Sequence, residues 1–549
     1  MAAGEAIKQY EDHQTEEGGM SPVYMKRKAQ DRLRIDALNG SASYQGKAGK
    51  AIWEFANWED LGTNGFEQFA HSLRDHFGIS NELPYNERVV WLFGTVGQYM
   101  KLAGRPKSEY LTQEELDLPL IDWIINGTGM NGGHVYAHNR GGVPKLFLDK
   151  GDIGGKKIIL YQKNHAIFDV AEHGFEMQRA AIELGRMRAF LEKNMKGANK
   201  IPSSELFMME EALALLSQFK SSYPTWFDAT SSAYQLHAVL TGDTGLAKVT
   251  NILNMDRDGP AGDLYRPGAE YLERTLNLPQ VKTRKITKKF ISNRRSYGQV
   301  KLTARKAGQD QISKELPEYA DQGPDTPQNI KDSLSNIQRD LETQFDTEFP
   351  GAAIAEGVAR SIAKHLFDIQ GREFFAVRVP LPDGDVAVYD GKVPDSAKRR
   401  ITWQLDGKND KRVGVPVYKD RIAVTGFAAF LNHALDAYVQ RELAKRLRAQ
   451  GVSGFMHTHD AFAVHPKNAA LMRELYHQIV LEVANTPIYE EILKANSLDA
   501  NDMTVKYNIT SQEGGTTEEV GMLEILQNIR NNKAATFGKS QSTNYYALS

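Results

Sequence analysis

The sequence predicts an α+β protein that is largely helical and carries a small antiparallel sheet. Between residues 169 and 195, apolar side chains recur at the period of about 3.6 residues that marks one face of a long helix. Residues 374–424 instead contain β-favouring runs separated by the turn sequences PDGD and LDGKND, which are typical of hairpins. In GFMHTHDAFAVHP, residues 454–466, two short apolar runs flank a polar turn, which indicates another hairpin. Helices and antiparallel strands are therefore expected in one chain.

The remaining elements follow the same two periods. A strand is predicted in YPTWF, residues 223–227, because aromatic and β-branched residues favour strands. This strand ends at Asp228, and the segment SSAYQLHAVL after it is helical. Gly451 is expected to end a long helix, and Pro466 to begin another one. That long helix spans residues 426–451, and the other predicted helices are 203–219 and 326–370.

Composition limits the classes of protein to which the chain can belong. Its 549 residues are 41% hydrophobic, which is enough for a large core divided among several domains. No uncharged apolar run is long enough to span a membrane, and the polar, acidic beginning lacks the apolar stretch of a secretory signal. The absence of cysteine excludes disulfides, thiolate zinc sites and cysteine nucleophiles. A reducing cytoplasmic compartment fits these features, and no membrane partner is expected.

Positive charge is concentrated in one segment of a chain whose formal net charge is only −2. From Lys282 to Lys306 there are ten lysines and arginines and no acidic residue. A solvated basic loop would explain this charge, but Phe290 and Tyr297 within the segment, and its position in mid-chain, favour a binding function. Because a local cluster of cations attracts polyanions, nucleic acid or nucleotide phosphates are the predicted partner.

Two aspartates occupy matching positions at the ends of predicted strands. Asp228 follows one strand and precedes a helix, whereas Asp460 lies in the hairpin turn of residues 454–466. An aspartate in a tight turn often only accepts a local backbone hydrogen bond, but carboxylates at the ends of adjacent strands can also converge. Paired carboxylates suit Mg²⁺, and two such ions about 4 Å apart support phosphoryl transfer. The basic helix between the two acids in sequence would then hold a triphosphate.

Four short segments, taken in order, carry a resemblance to a known family. They are DATSSAYQLH (228–237), TRKITKKFISNRRSYG (283–298), NHALD (432–436) and HDAF (459–462). These segments resemble motif A, motif B, the helix before motif C, and motif C of the single-subunit DNA-directed RNA polymerases of bacteriophage and mitochondrial type. That family is related to the family A DNA polymerases. The resemblance extends over residues 223–485, and no secure match is found before residue 220.

The resemblance implies a right-hand polymerase fold with thumb, palm and fingers, in which the fingers interrupt the palm and its antiparallel sheet. Asp460 would then lie in a hairpin turn because the turn delivers a metal ligand to the palm floor. The expected domains, in chain order, are an amino-terminal arm or reduced amino-terminal domain (1–50), a thumb-like helical region (51–125), the first part of the palm with motif A (126–262), the fingers with motif B and a strand-rich segment resembling a specificity hairpin (263–425), and the second part of the palm with motif C and the carboxy-terminal region (426–549).

The same resemblance implies roles for individual residues near the two acids. Asp228 and Asp460, helped by the Ala229 carbonyl, would bind two Mg²⁺ ions. His433 resembles the family's contact to the ribose 2′-hydroxyl, although a histidine on a helix can also be a core residue. His459 would lie beside the primer terminus. The acids, the metal ions and these histidines would together form the catalytic centre.

Residues of motif B would bind the incoming nucleotide. Tyr297 would pack against the sugar and the template base, unless it serves only in packing. The Tyr-Gly pair comes one residue later than the Thr-Arg match predicts, so two cation pairs remain open. The triphosphate would be held by Arg284 and Lys288 or by Lys285 and Lys289, since both pairs are spaced four residues apart on a helix. One lysine of these pairs, with Lys288 as the candidate, would also protonate the pyrophosphate leaving group.

The sugar of the substrate nucleotide is predicted from the residue five positions after Asp228. DNA-making relatives typically have a bulky glutamate there, which excludes a 2′-hydroxyl, whereas this chain has Ala233. The small side chain leaves room for ribose, so the predicted function is template-dependent RNA synthesis from ribonucleoside triphosphates on DNA. The alternatives are a DNA polymerase or primase-like enzyme of the same fold, or a non-catalytic template-binding protein. An idle site, however, has no need of paired carboxylates.

The resemblance further implies a bacteriophage-encoded, monomeric enzyme that works in the host-cell cytoplasm. Only 227 residues precede Asp228, fewer than in typical members, whose large amino-terminal domain helps to bind and melt promoter duplex. We therefore expect a reduced promoter-recognition apparatus and a preference for single-stranded or opened DNA template. A single-stranded DNA-binding or duplex-opening protein is the expected accessory partner.

Run-off transcription tests this template preference. Matched single-stranded and duplex templates are incubated with the protein, Mg²⁺ and ribonucleotides, and the RNA product is measured. We expect product mainly from the single-stranded template. The basic segment 282–306 lies beside the predicted active site, so it provides no base-edge contacts for reading duplex DNA. Efficient, sequence-specific initiation on linear duplex by the protein alone would contradict this expectation.

Overall fold

The computed structural model describes ten longer stretches of the chain and several short segments. The stretches are residues 54–77, 90–102, 112–127, 174–253, 261–278, 280–295, 301–316, 328–391, 420–511 and 514–538, and the segments are 27–29, 35–37, 393–394, 416–417 and 547. Helices dominate these residues, and the sheets among them are small and antiparallel. The predicted α+β class is therefore confirmed.

Helices in the first part of the described chain pack around their own hydrophobic core, which draws on residues 61–125 and 177–223. The apolar face predicted for the long helix is confirmed, because Met177, Leu184 and Leu191 are completely buried. The helices are α1 (Gly65–Phe77), α2 (Val96–Leu102), α3 (Gln113–Asp117), α4 (Leu120–Gly127), α5 (Gly174–Asn194), α6 (Ser203–Leu206) and α7 (Glu210–Leu216). The buried stripe of α5 faces α1 and α7.

The remaining helices surround a second, larger core. They are α8 (Ser232–Thr241), α9 (Thr244–Val249), α10 (Arg266–Leu276), α11 (Gln280–Arg295), α12 (Lys301–Glu315), α13 (Gln328–Glu348), α14 (Pro350–Phe374), α15 (Asp420–Ala449), α16 (Ala469–Asn485), α17 (Ile488–Ala495) and α18 (Met522–Phe537). Throughout the described stretches, no helix combines the length and the apolar character needed to cross a membrane.

The long helix α15 begins earlier than its sequence pattern predicts. It starts at Asp420 rather than at residue 426, so the last residues of the predicted strand region 374–424 are helical. Val424 lies one turn before the buried Phe427 and packs against the same core. Tertiary packing therefore outweighs the strand preference of the β-branched residues in this segment.

Short antiparallel pairs make up most of the β-structure. The strands are β1 (Arg27–Ala29), β2 (Ile35–Ala37), β3 (Glu59–Asp60), β4 (Lys220–Ser221), β5 (Thr225–Asp228), β6 (Val377–Pro380), β7 (Val386–Tyr389), β8 (Val393–Pro394), β9 (Pro416–Val417), β10 (Phe455–Thr458), β11 (Ala461–Val464), β12 (Thr504–Ser511) and β13 (Gly514–Gly521). The hairpin predicted at PDGD is confirmed as β6 and β7. The hairpin predicted at LDGKND lies outside the described residues.

One sheet of three strands forms the centre of the larger part of the molecule, in the order β10–β11–β5. The hairpin predicted in residues 454–466 is confirmed, since β10 pairs with β11 and the turn between them consists of His459 and Asp460. β11 also pairs with β5, the strand that was predicted to end at Asp228. The sheet therefore joins two segments that are far apart in sequence.

The two faces of this central sheet differ in what covers them. Phe462 lies opposite Phe227 in the strand register, and both side chains are buried in the larger core. On the other face Ala463 lies opposite Trp226, and these side chains pack with Phe55 in a small separate cluster. Because side chains alternate along a strand, Asp228 lies on the same face as Trp226.

A strap formed by residues 54–62 connects the first helical core to the central sheet. Its β3 pairs with β4, and its Glu59 carboxylate accepts hydrogen bonds from Ser453 Oγ at 2.6 Å and Asn468 Nδ2 at 3.2 Å. Lys467 Nζ lies 3.1 Å from the same carboxylate. Burial acts to raise the pKa of Glu59, but the hydrogen bonds outweigh it and hold the pKa below its usual value. The strap is thus fixed to both sides of the hairpin base.

Two buried histidines make the stability of this part of the fold depend on pH. Burial lowers the pKa of His465 and of His477, although Nε2 of each ring bonds a backbone carbonyl, at Asn57 and Ile252 respectively. A folded-state pKa below the unfolded value means that the unfolded chain binds more protons as the pH falls below about 6.5. These histidines therefore stabilise the fold above that pH, and their contribution is lost on acidification.

Thermal unfolding between about pH 7.5 and pH 5.5 tests this dependence. We expect the unfolding midpoint to fall with pH, and to fall less steeply in a His477→Gln variant, because glutamine can still donate to the Ile252 carbonyl but does not titrate. His365→Gln, at a half-buried histidine on α14, is the control. An identical slope in His477→Gln and the unmodified protein would contradict the prediction.

Candidate active site

Asp228 and Asp460 lie at the same end of the central sheet. Asp228 is the last residue of β5 and stands opposite Ala461, the first residue of β11. Asp460 immediately precedes β11, and its backbone carbonyl accepts a hydrogen bond from the Ala229 N–H at 3.0 Å. Asp228 is exposed and Asp460 is half-buried. The strand register therefore brings together the two acids that the sequence singles out.

The turn that carries Asp460 depends on unusual backbone conformations. His459 has a φ of 54° and is exposed, so the backbone reverses direction at this residue and the ring is directed away from the core. Ser231, with a φ of 58°, makes the corresponding turn into α8. Ser232 Oγ, in the first turn of α8, donates to Asp460 Oδ2 at 2.8 Å. The Asp460 carboxylate therefore lies at the amino end of α8, where the helix dipole favours negative charge.

A third carboxylate, that of Asp436 on α15, belongs to the same neighbourhood. Burial, followed by the charges of Asp436, Asp460 and Asp228, raises the pKa of the Tyr476 phenol well above its usual range. All three acids therefore act on one buried hydroxyl. Asp436 is the last residue of the NHALD segment, but no role was predicted for it. Its spacing alone does not show that its face of α15 turns toward the two acids.

The donor set around Asp228 fits a magnesium ion. Within the residues that the structure describes, no group of three or more aspartate, glutamate or histidine side chains is arranged to hold a metal by itself. Mg²⁺ commonly uses one or two carboxylates and completes its octahedron with water and substrate phosphates. Asp228 and Asp460 could provide the carboxylates, and the backbone between Asp228 and α8 could supply the Ala229 carbonyl.

Gln235 on α8 holds the surroundings of the acids together. Its Oε1 accepts from the Tyr476 hydroxyl at 2.6 Å, and its Nε2 donates to the backbone carbonyls of Thr250 and Ala547, each at 2.9 Å. The Ala547 carbonyl also accepts from the Thr230 N–H at 3.3 Å. One buried side chain thus connects α16, the end of α9, residue 547 and the loop after Asp228.

The basic helix α11 presents two different cationic surfaces. Its buried side consists of Thr283, Ile286, Thr287, Phe290 and Ile291. The helical period places residues 285 and 289 opposite that side, and both lysines are exposed. Residue 284 lies at its border and is half-buried, and Lys288, one turn further along the helix, is exposed. The two cation pairs that spacing could not distinguish therefore face different directions.

Tyr265 lies between the Arg284 side of α11 and the loop after Asp228. The Arg284 guanidinium carbon is 5.5 Å from the centre of the Tyr265 ring, and Lys288 Nζ is 6.0 Å from it. The Tyr265 hydroxyl is 3.5 Å from Ser231 Oγ. This almost completely buried tyrosine was not predicted, because no sequence motif indicates that a residue before α10 contacts both elements.

The predicted histidines occupy different environments. His433 is half-buried on α15, next to Asn432, whose Nδ2 lies 2.9 Å from His237 Nε2 on α8. This contact fixes α15 against the helix that follows Asp228. His459 lies in the Asp460 turn itself. Tyr297 lies outside the described residues, so its predicted contact is not located.

No protein-family model matches this chain, and no curated protein shows significant similarity to it. Function is therefore inferred from the chemistry of the site and from the order of the motifs. The structure brings Asp228, Ala229 and Asp460 together at one sheet end. It connects them through Tyr265 to Arg284 and Lys288, whereas Lys285 and Lys289 lie about 100° further around α11.

A Gln235→Leu substitution tests the importance of the buried amide. Leucine would leave the carbonyls of Thr250 and Ala547 and the Tyr476 hydroxyl without this partner, so we expect the free energy of unfolding to fall by about 2–4 kcal/mol. Tyr476→Phe is the matched control: it removes one of these bonds and should cost about 1 kcal/mol. Denaturant unfolding followed by circular dichroism measures both, and equal losses would contradict the network described for Gln235.

Proposed function

We propose that this protein is a template-dependent RNA polymerase with a right-hand fold, which joins ribonucleotides by two-metal nucleotidyl transfer. The observation that carries the proposal is the convergence of Asp228 and Asp460 through the pairing of β5 with β11. A hairpin turn needs no carboxylate pair for its own stability. Acids at the ends of two strands from distant parts of the chain are instead what a hard cation and a polyphosphate substrate require.

The acids would bind Mg²⁺ together with the Ala229 carbonyl. The metal ions would activate the attacking hydroxyl and stabilise the charge that develops on the leaving pyrophosphate. Asp460 is oriented for this task by Ser232 Oγ, and the exposed Asp228 is open to solvent and substrate. These residues account for the acidic half of the site.

The cationic half of the site would be the Arg284–Lys288 side of α11. Phosphate oxygens carry most of the charge of a nucleoside triphosphate, and a cation next to the acids would orient them. Tyr265 brings this side of the helix within contact of the loop after Asp228. Lys285 and Lys289, about 100° further around α11, would instead face solvent or nucleic acid backbone.

Choice of ribose is assigned to the first turn of α8 and to α15. Ala233 is half-buried in that turn and presents only a methyl group. His433 is the candidate partner of the 2′-hydroxyl, and the neighbouring Asn432–His237 contact holds its helix against α8. Polar recognition of a substrate hydroxyl discriminates more strongly than apolar packing, which supports RNA rather than DNA as the product. A DNA template, an RNA product and ribonucleoside triphosphates are the proposed partners.

Replacing either acid by its amide tests the proposal. Asp228→Asn and Asp460→Asn preserve side-chain shape but remove the charge, so we expect nucleotide incorporation to fall by about 10²–10³-fold or more. Template binding, measured by fluorescence anisotropy, should be almost unchanged.

Asp368→Asn is the matched control for this experiment, because Asp368 is an exposed acid that pairs with Lys364 on α14, away from the site. It should retain full incorporation. Substantial incorporation by either active-site variant, with Mg²⁺ and a primed template, would rule out the two-metal assignment.

A further inference from the structure

Arg284 is held by an internal carboxylate. Its Nε lies 2.5 Å from Asp263 Oδ2 and its Nη2 lies 3.1 Å from Asp263 Oδ1, which is a two-point ion pair. The Asp263 side chain is only 7% exposed, against 29% for that of Arg284. A guanidinium forms this planar, two-point contact with a carboxylate in the same way as with a phosphate. Phosphate binding by Arg284 would therefore have to compete with Asp263.

Asp263 also organises the backbone beside it. Its Oδ1 accepts the Tyr265 N–H at 3.0 Å, and its carbonyl accepts the Arg266 N–H at 3.2 Å. The ion pair with Arg284 therefore fixes the turn that begins α10, and with it the Tyr265 ring. That ring in turn lies against Ser231, in the loop that follows Asp228. Releasing Arg284 would leave a buried carboxylate without its cation, which is unfavourable.

Lys288, one helical turn further along, is in a different situation. Its side chain is exposed, and its Nζ lies over the same Tyr265 ring as the Arg284 guanidinium. In the described part of the chain, no carboxylate forms an ion pair with Lys288, whereas Arg284 has Asp263. A lysine amine is a compact charge on a flexible chain, so it can follow a phosphate without disturbing the fold.

We propose that the two cations of this surface have different tasks. Lys288 binds the phosphates of the substrate, and Arg284 is a positioning residue that, held by Asp263, sets Tyr265 against the loop after Asp228. This division rests on the proposed nucleotidyl-transfer function and refines it. It identifies Asp263 and Tyr265 as residues that maintain the geometry of the catalytic loop without touching the nucleotide.

A double variant that removes both charges of the Asp263–Arg284 ion pair separates the two tasks. In Asp263→Asn combined with Arg284→Gln, the amides can still hydrogen-bond but carry no charge. We expect this double variant to keep the KM for ribonucleoside triphosphates within about threefold of the unmodified protein, because it removes no phosphate contact. Lys288→Gln should raise that KM by about tenfold or more, as expected for a lost charged contact. Lys364→Gln, at an exposed lysine that pairs with Asp368 on α14, is the control and should leave KM unchanged.

Binding of inorganic tripolyphosphate, measured by calorimetry without template, gives a readout that does not depend on catalysis. Lys288→Gln should weaken it by a factor similar to its effect on KM, and the double variant should not. A double variant that loses tripolyphosphate affinity as strongly as Lys288→Gln would overturn the division of tasks, since Arg284 would then bind phosphate. Absence of incorporation by the unmodified protein would refute the proposed function, while the tripolyphosphate comparison would still decide between the cations.

Tyr265→Phe tests the positioning role without disturbing the ion pair. It removes the hydroxyl next to Ser231, so we expect kcat to fall several-fold while KM and tripolyphosphate affinity stay unchanged. Thermal unfolding is measured for every variant as a control for folding. If the double variant does not fold, Tyr265→Phe and Lys288→Gln decide the question. An unchanged kcat in Tyr265→Phe would contradict a role for Tyr265 in positioning the loop.

Discussion

The pairing of β11 with β5 is the interaction on which the rest of the site depends. It sets Asp228 opposite Ala461, and the Ala229 N–H bond to the Asp460 carbonyl extends the pairing beyond the strands. A shift of one residue would turn every side chain of β5 to the other face and separate the acids. Phe227 and Phe462 prevent such a shift, because both must remain in the core. Hydrophobic burial therefore sets the position of the acids.

Polar contacts complete what the strand register begins. Ser232 orients the Asp460 carboxylate, Gln235 ties the following helix to α16, and Tyr265 carries the connection to the basic helix. Each of these residues is at least half-buried, so its partners are restricted to neighbours with matching hydrogen-bonding groups. The acidic and cationic halves of the candidate site are thus parts of one hydrogen-bonded and packed unit, although they come from separate elements.

Local patterns predicted the elements that present the site but not the contacts that support it. The strand ending at Asp228 and the turn containing Asp460 follow from alternation, turn chemistry and periodicity, which act over a few residues. Asp263 and Tyr265 could not be found in this way, because their importance comes from contacts with α11 and Ser231 that only tertiary packing creates. The predicted start of α15 was wrong for a related reason, because burial of Phe427 extends the helix through a segment with strand preference. Spacing also could not separate Lys285 from Lys288, since it does not show which side of a helix is covered.

The distance in sequence between the paired strands has a consequence for synthesis of the protein on the ribosome. Ser232 and Asp460 are 228 positions apart, so β5 and the start of α8 are made long before the hairpin that completes them. During that interval β5 presents an open edge, and such edges can pair with other chains. The delay is longer for the strap, because Glu59 and its partner Ser453 are 394 positions apart. Productive folding must therefore keep these early segments apart from neighbouring chains until the hairpin has emerged.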